Sequence, residues 1–407
     1  MPGLRSASDE GRHCVKAPGG ELAVKTELRE LALRLDSLPA YVYDLGALDA
    51  HTAAIRAALP APVELYYAVK ANPDRSVLRT VARHADGLEV SSGGELAHAA
   101  AAVPGAALAF GGPGKTAPEL AAAVRAGVRR VHVESPHELR LLAGLGRPVD
   151  VLLRVNPPGT PGVADAQLVM GGTPSPFGMD DAALAECGEM LAEAASLVRV
   201  RGLHAHLASG LDAAALVASA RRLLAAGRDW CARLGVTRPE FNLGGGMAVD
   251  YGRPSEVFDW AAYGRGLGAL LRPGETVRVE PGRAVTAYCG WYLTRVLDVK
   301  RSHGEAFAVV AGGTHHLRTP AAKGHDQPFA VVEVADWAHR WSRPEVSSAP
   351  VTICGQLCTP KDILARRVEV SRLRAGDLLV FGLAGAYAWN ISHHCFLMHP
   401  PPVFNYL

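Results

Sequence analysis

The chain has 407 residues, 49% of them hydrophobic and 20% charged, with a formal net charge of +2. That length can bury a large core in two or three domains, and near-neutral charge without a Lys/Arg run excludes nucleic acid or an anionic membrane as the main partner. Seven cysteines, scattered from Cys14 to Cys395 without a CxxC pair, exclude a disulfide framework and a metal site and fit a reducing cytoplasm.

The first fifteen residues offer no apolar core for a signal peptide, and no window holds the roughly 18 uninterrupted apolar residues of a membrane span. A strand is predicted at 40–45, after a first segment of forty residues expected to pack with a β domain. From Val63 to Arg283, short β-rich runs alternate with Ala/Leu-rich helical runs. Strands are predicted at 63–69, 87–91, 106–112, 129–135, 149–156, 201–207, 240–246 and 276–282, and helices at 74–84, 94–102, 118–126 and 213–234. Eight strands alternating with helices point to a closed parallel barrel over an open sheet. After Arg283, short apolar runs separated by turns replace helical periodicity, which predicts an all-β domain. The expected division is therefore 1–40, an α/β barrel of (β/α)8 type over 41–285, and a C-terminal all-β domain over 286–407.

In a parallel barrel, chemistry gathers at the C-terminal strand ends. Those ends carry Lys70, Ser92, Gly112, Glu134, Arg154, His206, Gly244 to Gly246 and Glu280 to Arg283. A lone strand-end lysine is ordinarily a surface residue, but in a partly buried mouth its pKa falls and its amine is freed to attack a carbonyl. A glycine run is ordinarily a flexible turn. At the ends of the seventh and eighth strands, however, barrels often bind phosphate, and bare backbone N–H groups approach it closely. Glu280 beside Arg283 is either a structural ion pair or a carboxylate for a cofactor's pyridine nitrogen. His206 and His204 point to the same face of their strand, and the residues alone do not choose between them.

Together these residues resemble the fold-type III pyridoxal-phosphate (PLP) decarboxylases, the group of diaminopimelate, ornithine and biosynthetic arginine decarboxylases. The matching pieces are YYAVKANPD, LEVSSGGEL, LRVNP, HLASG, GGG, EPGR, CGQLCTPKD and GAYAWNIS, in the family's order from about Tyr41 to Pro402. The resemblance implies an alanine-racemase-like barrel, a PLP cofactor on Lys70, and Glu280 at the pyridine nitrogen. It also implies His206 stacking on the ring, and a cofactor environment of Glu89, Arg154, Ser209, Gly244, Gly245, Gly246, Gly282, Arg283 and Tyr387. Cys358 and Asp362 match a C-x-x-x-D motif that members insert into the partner subunit's active site, which implies a homodimer with shared sites. Cys358 is then the group that reprotonates the α-carbon. A buried inert thiol is the ordinary reading of a lone cysteine.

The sequence departs from common members at Ala208, at Pro176 of PSPFG, and at Arg318-Thr319-Pro320-Ala321-Ala322, where diaminopimelate enzymes read R-P-x-x-Y. The segment 312–329 carries His315, His316, Arg318, Lys323 and His325 against a single Asp326. A solvated loop is the plain reading. A basic pocket, with His316 and Arg318 binding substrate, suits extra carboxylates better than a distal ammonium. GGTHH, PSPFG and CGQLCTPKD resemble the siderophore branch of the family, which decarboxylates conjugates of citrate with diaminopropionate or diaminobutyrate. Diaminopimelate or another basic amino acid is the alternative substrate. A racemase and an inactive binding homologue are the alternatives of another class.

Overall fold

The computed structural model describes residues 16–17, 20–159, 168–194 and 197–407. The first fifteen residues, including Cys14, lie outside this description. Eight parallel strands of three to seven residues close into a barrel: Val63–Ala68, Gly87–Val90, Leu108–Phe110, Arg130–Val133, Val149–Arg154, Val198–His204, Glu240–Asn242 and Thr276–Val279. Closure follows from the pattern. The strand bodies are buried almost throughout, so they need cover on both faces, and the intervening helices supply the outer layer.

The helices begin where the sequence supplies caps. Asp74 accepts from the backbone N–H groups of Ser76 and Val77, and Thr116 with Glu119 forms a reciprocal capping box. Ser92 behaves likewise: its Oγ accepts from Glu95 N at 3.1 Å, so this strand-end polar residue starts a helix. At the opposite end of the barrel, Arg278 is 1% exposed, stacks over Tyr66 at 4.4 Å and bonds Glu64 (Nε to Oε2, 3.0 Å). This charged plug closes the N-terminal mouth and leaves the C-terminal mouth for chemistry.

All eight predicted strands are present, yet every expected range runs past the observed C-terminal end, and the sixth begins at Val198 rather than 201. The reason is local. Beyond the last ladder bond the chain turns into loops, and Lys70 sits in a single 3-10 turn, Val69–Ala71.

The second half is mostly sheet, built on the long strand Gly290–Ser302, which pairs with Glu305–Val310 on one edge and Leu378–Phe381 on the other. Phe329–Val332, Glu345–Cys354 and Ile363–Arg374 extend it. Ala40–Tyr43 precedes the barrel in sequence but pairs with Gly290–Leu293 of this sheet, and Val403–Tyr406 pairs with it in turn. Helix Thr26–Arg34 buries Leu28 and Ala32 against Val42, Leu293 and Val380. The sheet region is not free of helix: Thr319–Lys323 forms one short helix that the all-β expectation missed. No helix among the described residues is long and apolar enough to cross a membrane.

Candidate active site

The strand ends converge on a cavity of about 640 Å³ lined by Lys70, Glu89, Arg154, His206, Ser209, Gly245, Gly246, Glu280, Gly282, Arg283 and Tyr387 among others. Eleven residues expected from the sequence are therefore brought together. Gly244 lies behind this wall.

The Lys70 ammonium forms an ion pair with Glu89, which is 4% exposed and also accepts from Ser91 Oγ at 2.9 Å. Burial alone would lower the Lys70 pKa. Glu89, with Tyr387 and Glu280 adding, more than offsets it and holds the amine above the ordinary lysine range. This corrects the expectation of a lowered pKa: the mouth is buried, but it contains a counter-ion. Glu89 is thus placed to take the proton that Lys70 must lose before its amine can attack.

His206 Nδ1 accepts from Gly245 N–H at 3.0 Å, which leaves its proton on Nε2. Burial, with Lys70 and Arg154 adding, pushes its pKa down to about 3, so it presents a neutral ring. His204 lies deeper, stacked on His132 with ring centroids 4.2 Å apart and its Nε2 3.5 Å from Glu280 Oε2. Asn242 organises this floor. Its Oδ1 accepts from Gly244 N–H (2.9 Å), so its amide nitrogen faces Glu280 Oε1 (2.6 Å) and His132 Nε2 (3.3 Å). Sequence reasoning missed Asn242 and His132, because polar residues inside strand bodies look like satisfied core. Their common inward register with Glu280 is the signal that could have found them. His132, His204 and Glu280 bring ligating atoms within 4.8 Å of one another, but the Asn242 amide already engages two of the three residues.

Arg154 is buried and pairs with Glu134 (Nη1 to Oε1, 2.6 Å) while lying over Phe177 at 4.8 Å. Arg283 bonds Tyr251 Oη at 2.7 Å and covers the Tyr387 ring at 4.5 Å. Tyr387 has φ 49° and is tied to the barrel by its N–H bond to Ala71 O (2.8 Å). Glycine is required around this ring of groups. A Cβ on Gly244 would stand 2.5 Å from His206 Nδ1, one on Gly245 2.5 Å from Glu280 O, and one on Gly282 2.8 Å from Ala71 Cβ. The glycines leave a bare-backbone cradle that a phosphate can enter. A half-buried lysine, a held carboxylate, a neutral ring and this cradle fit PLP.

The remaining site residues lie elsewhere. Cys358 is exposed and does not line the cavity of its own chain. Asp362 is 2% exposed and spends both oxygens on backbone, accepting from Thr314 N–H (2.6 Å) and Leu357 N–H (2.8 Å). That corrects its substrate-binding assignment: Asp362 shapes the loop that carries Cys358. His316 is also corrected, being 2% exposed with its ring nitrogens beside Tyr292 Oη (3.2 Å) and Pro400 O (3.1 Å). Arg318 turns to His393 Nδ1 (3.0 Å) and is not among the cavity-lining residues.

The family model described as "Pyridoxal-dependent decarboxylase, pyridoxal binding domain" matches residues 45–287. A 2-((L-alanin-3-ylcarbamoyl)methyl)-2-hydroxybutanedioate decarboxylase of Staphylococcus aureus is 37% identical over 90% of this chain and 93% of its own. A diaminopimelate decarboxylase of Actinosynnema pretiosum is 35% identical over 92% and 85%. The crystal structure of a Helicobacter pylori diaminopimelate decarboxylase mutant with L-lysine superposes with a TM-score of 0.82 at 23% identity, covering 93% of each chain.

Proposed function

The chain belongs to the pyridoxal-dependent decarboxylases, and from that premise we propose that it decarboxylates the amino-acid end of a citrate–diamine conjugate in siderophore assembly. The observation that carries the substrate is the state of the cavity's carboxylates. Glu89 is taken by Lys70, Glu280 by Asn242, and Glu119 by Thr116 and Gly93. Among the described residues, no cavity acid stands ready for a distal ammonium, which favours a substrate whose far end is anionic. The Staphylococcus relative's named substrate has that form, an alaninyl amide of a hydroxybutanedioate bearing two further carboxylates.

When bound, PLP supplies an electron sink for the bond to the departing carboxylate. Lys70 Nζ is the group that carries it, after passing its proton to Glu89. Glu280, kept in place by Asn242, would face the pyridine nitrogen. The neutral His206 ring would lie on the cofactor face. Gly245, Gly246, Ser209, Arg283 and Tyr387 would hold the phosphate. Loss of CO2 leaves an electron pair on the α-carbon that one proton must quench, and Cys358 of a second copy is assigned that transfer. Its exposure and its absence from its own cavity support a homodimer with shared sites. A reducing cytoplasm suits the exposed free thiols of Cys358 and Cys395.

The test is CO2 release by the purified, PLP-loaded protein from citryl-diaminopropionate, citryl-diaminobutyrate and diaminopimelate. Turnover of a citryl conjugate is expected. Turnover of diaminopimelate with neither conjugate would overturn the substrate assignment.

A further inference from the structure

The cations of segment 312–329 part company in the fold. His315 and His316 are buried at 0% and 2% exposure, and Arg318 is engaged with His393. Lys323, half-buried, does line the cavity. It is put there by the helix Thr319–Lys323. Thr319 Oγ1 donates to Tyr387 O at 2.6 Å, and Gly324 closes the helix in a left-handed turn with its N–H on Pro320 O. The helix is thereby pinned to the same tyrosine that Arg283 covers.

Arg283 lines the same cavity and is close enough to depress the Lys323 ammonium. It donates a hydrogen bond to a neutral phenol, Tyr251, whose ring His325 covers at 4.0 Å. Among the described residues, neither Lys323 nor Arg283 has a carboxylate partner. Burial, with Arg283 adding, pushes Lys323 down to about 8, as expected for a cation short of counter-charge. Two cations on one cavity wall, neither paired with a carboxylate among the described residues, call for an anion from outside. A substrate carboxylate and the cofactor phosphate share that chemistry. The phosphate already has a backbone cradle at Gly245 and Gly246, a hydroxyl at Ser209, a phenol at Tyr387 and the Arg283 guanidinium, which leaves Lys323 as the cavity cation still without an anion.

We propose that Lys323, beside Arg283, is a specificity-determining residue that binds a substrate carboxylate remote from the reacting amino-acid centre. This rests on the citrate-conjugate reading, and narrows the basic segment to one residue. It also gives the short helix a purpose, since a five-residue helix pinned at Tyr387 fixes where the amine emerges.

The probe is citrate, titrated calorimetrically into the PLP-loaded protein, with PLP affinity measured separately by absorbance titration of the apoprotein. One charge-assisted contact is worth about 1.5–3 kcal/mol, or roughly 10- to 100-fold in affinity. Lys323→Met is expected to weaken citrate by about that factor, Lys323→Arg to restore most of it, and both to keep wild-type PLP affinity. Unchanged citrate affinity in Lys323→Met would overturn the proposal. So would a loss confined to PLP affinity, which would assign Lys323 to the phosphate. Lys323→Gln, which keeps a polar chain of similar size, replaces the methionine variant if that one fails to fold. If the wild-type protein turns over no citryl conjugate, the substrate reading fails by itself, while the citrate comparison still decides whether Lys323 binds a carboxylate.

Discussion

Replacing Gly244 by alanine tests the link between the glycine run and His206. Gly244 has φ 67°, so an alanine there costs about 1–2 kcal/mol in the left-handed region. The new methyl would stand 2.5 Å from His206 Nδ1 and 2.7 Å from its Cβ. Ordinary contact is about 3.5 Å, so the imidazole must retreat by about 1 Å. A displacement of that size at a reacting centre costs on the order of 100-fold in rate. Steady-state kinetics of Gly244→Ala should therefore show kcat down about 100-fold, while urea denaturation shows a loss of about 1–2 kcal/mol, the left-handed cost. Gly188→Ala is the control. Gly188 lies in helix Asp181–Ala194, where a Cβ meets only Leu234 Cδ2 at 3.7 Å, and alanine should stabilise by up to about 1 kcal/mol without touching kcat. Wild-type kcat in Gly244→Ala would refute the placement of His206 against the reacting centre.

Mixing Lys70→Ala with Cys358→Ala protomers should regain about a quarter of wild-type activity, because half the random dimers hold one intact composite site; no regain on subunit exchange would show that Cys358 does not act across a dimer. Acid should destabilise the fold through His315 and His316, whose pKa values burial, with neighbouring histidines adding, pushes from the ordinary 6.5 to about 4 and about 3. The folded state refuses protons that the unfolded chain binds below pH 6.5, so stability is full above that pH and falls below it. Each histidine steepens the fall by about 1.4 kcal/mol per pH unit, and a urea midpoint that is flat between pH 7 and 5 would contradict this. Glu64→Ala should cost about 1.5–3 kcal/mol, since it leaves the buried Arg278 only its longer contact with Glu240 (3.4 Å), with PLP affinity intact because the group closes the far end of the barrel; equal loss of PLP affinity would refute that separation.

The barrel and the outline of its site were legible because both follow from a repeating rule. Each β-rich run ends in a polar or glycine-rich group, so Lys70, His206, Glu280 and Arg283 stand out by position. What supports them was not legible. Asn242 and His204 close their strands and His132 lies inside its own, and although all three share an inward register, only the closed barrel shows that they meet beneath Glu280. The basic segment 312–329 misled for a related reason. Charge was read along the chain, whereas the fold turns His316 into the sheet, Arg318 toward His393 and Lys323 toward the cavity. A five-residue helix is too short for periodicity to announce it. The spacing of Asp362 to Cys358 points to a substrate ligand, whereas one of its amide partners is Leu357 of its own loop and the other, Thr314, lies 48 residues away, beyond any local pattern.

The most direct test of the assignment concerns Lys70. The purified protein is loaded with PLP, treated with borohydride to fix the cofactor, digested, and its peptides are mapped by mass. A pyridoxyl group on the peptide containing Lys70, and none in Lys70→Ala, is the expected result. Labelling at another lysine such as Lys115 or Lys323, or unchanged labelling of Lys70→Ala, would contradict it.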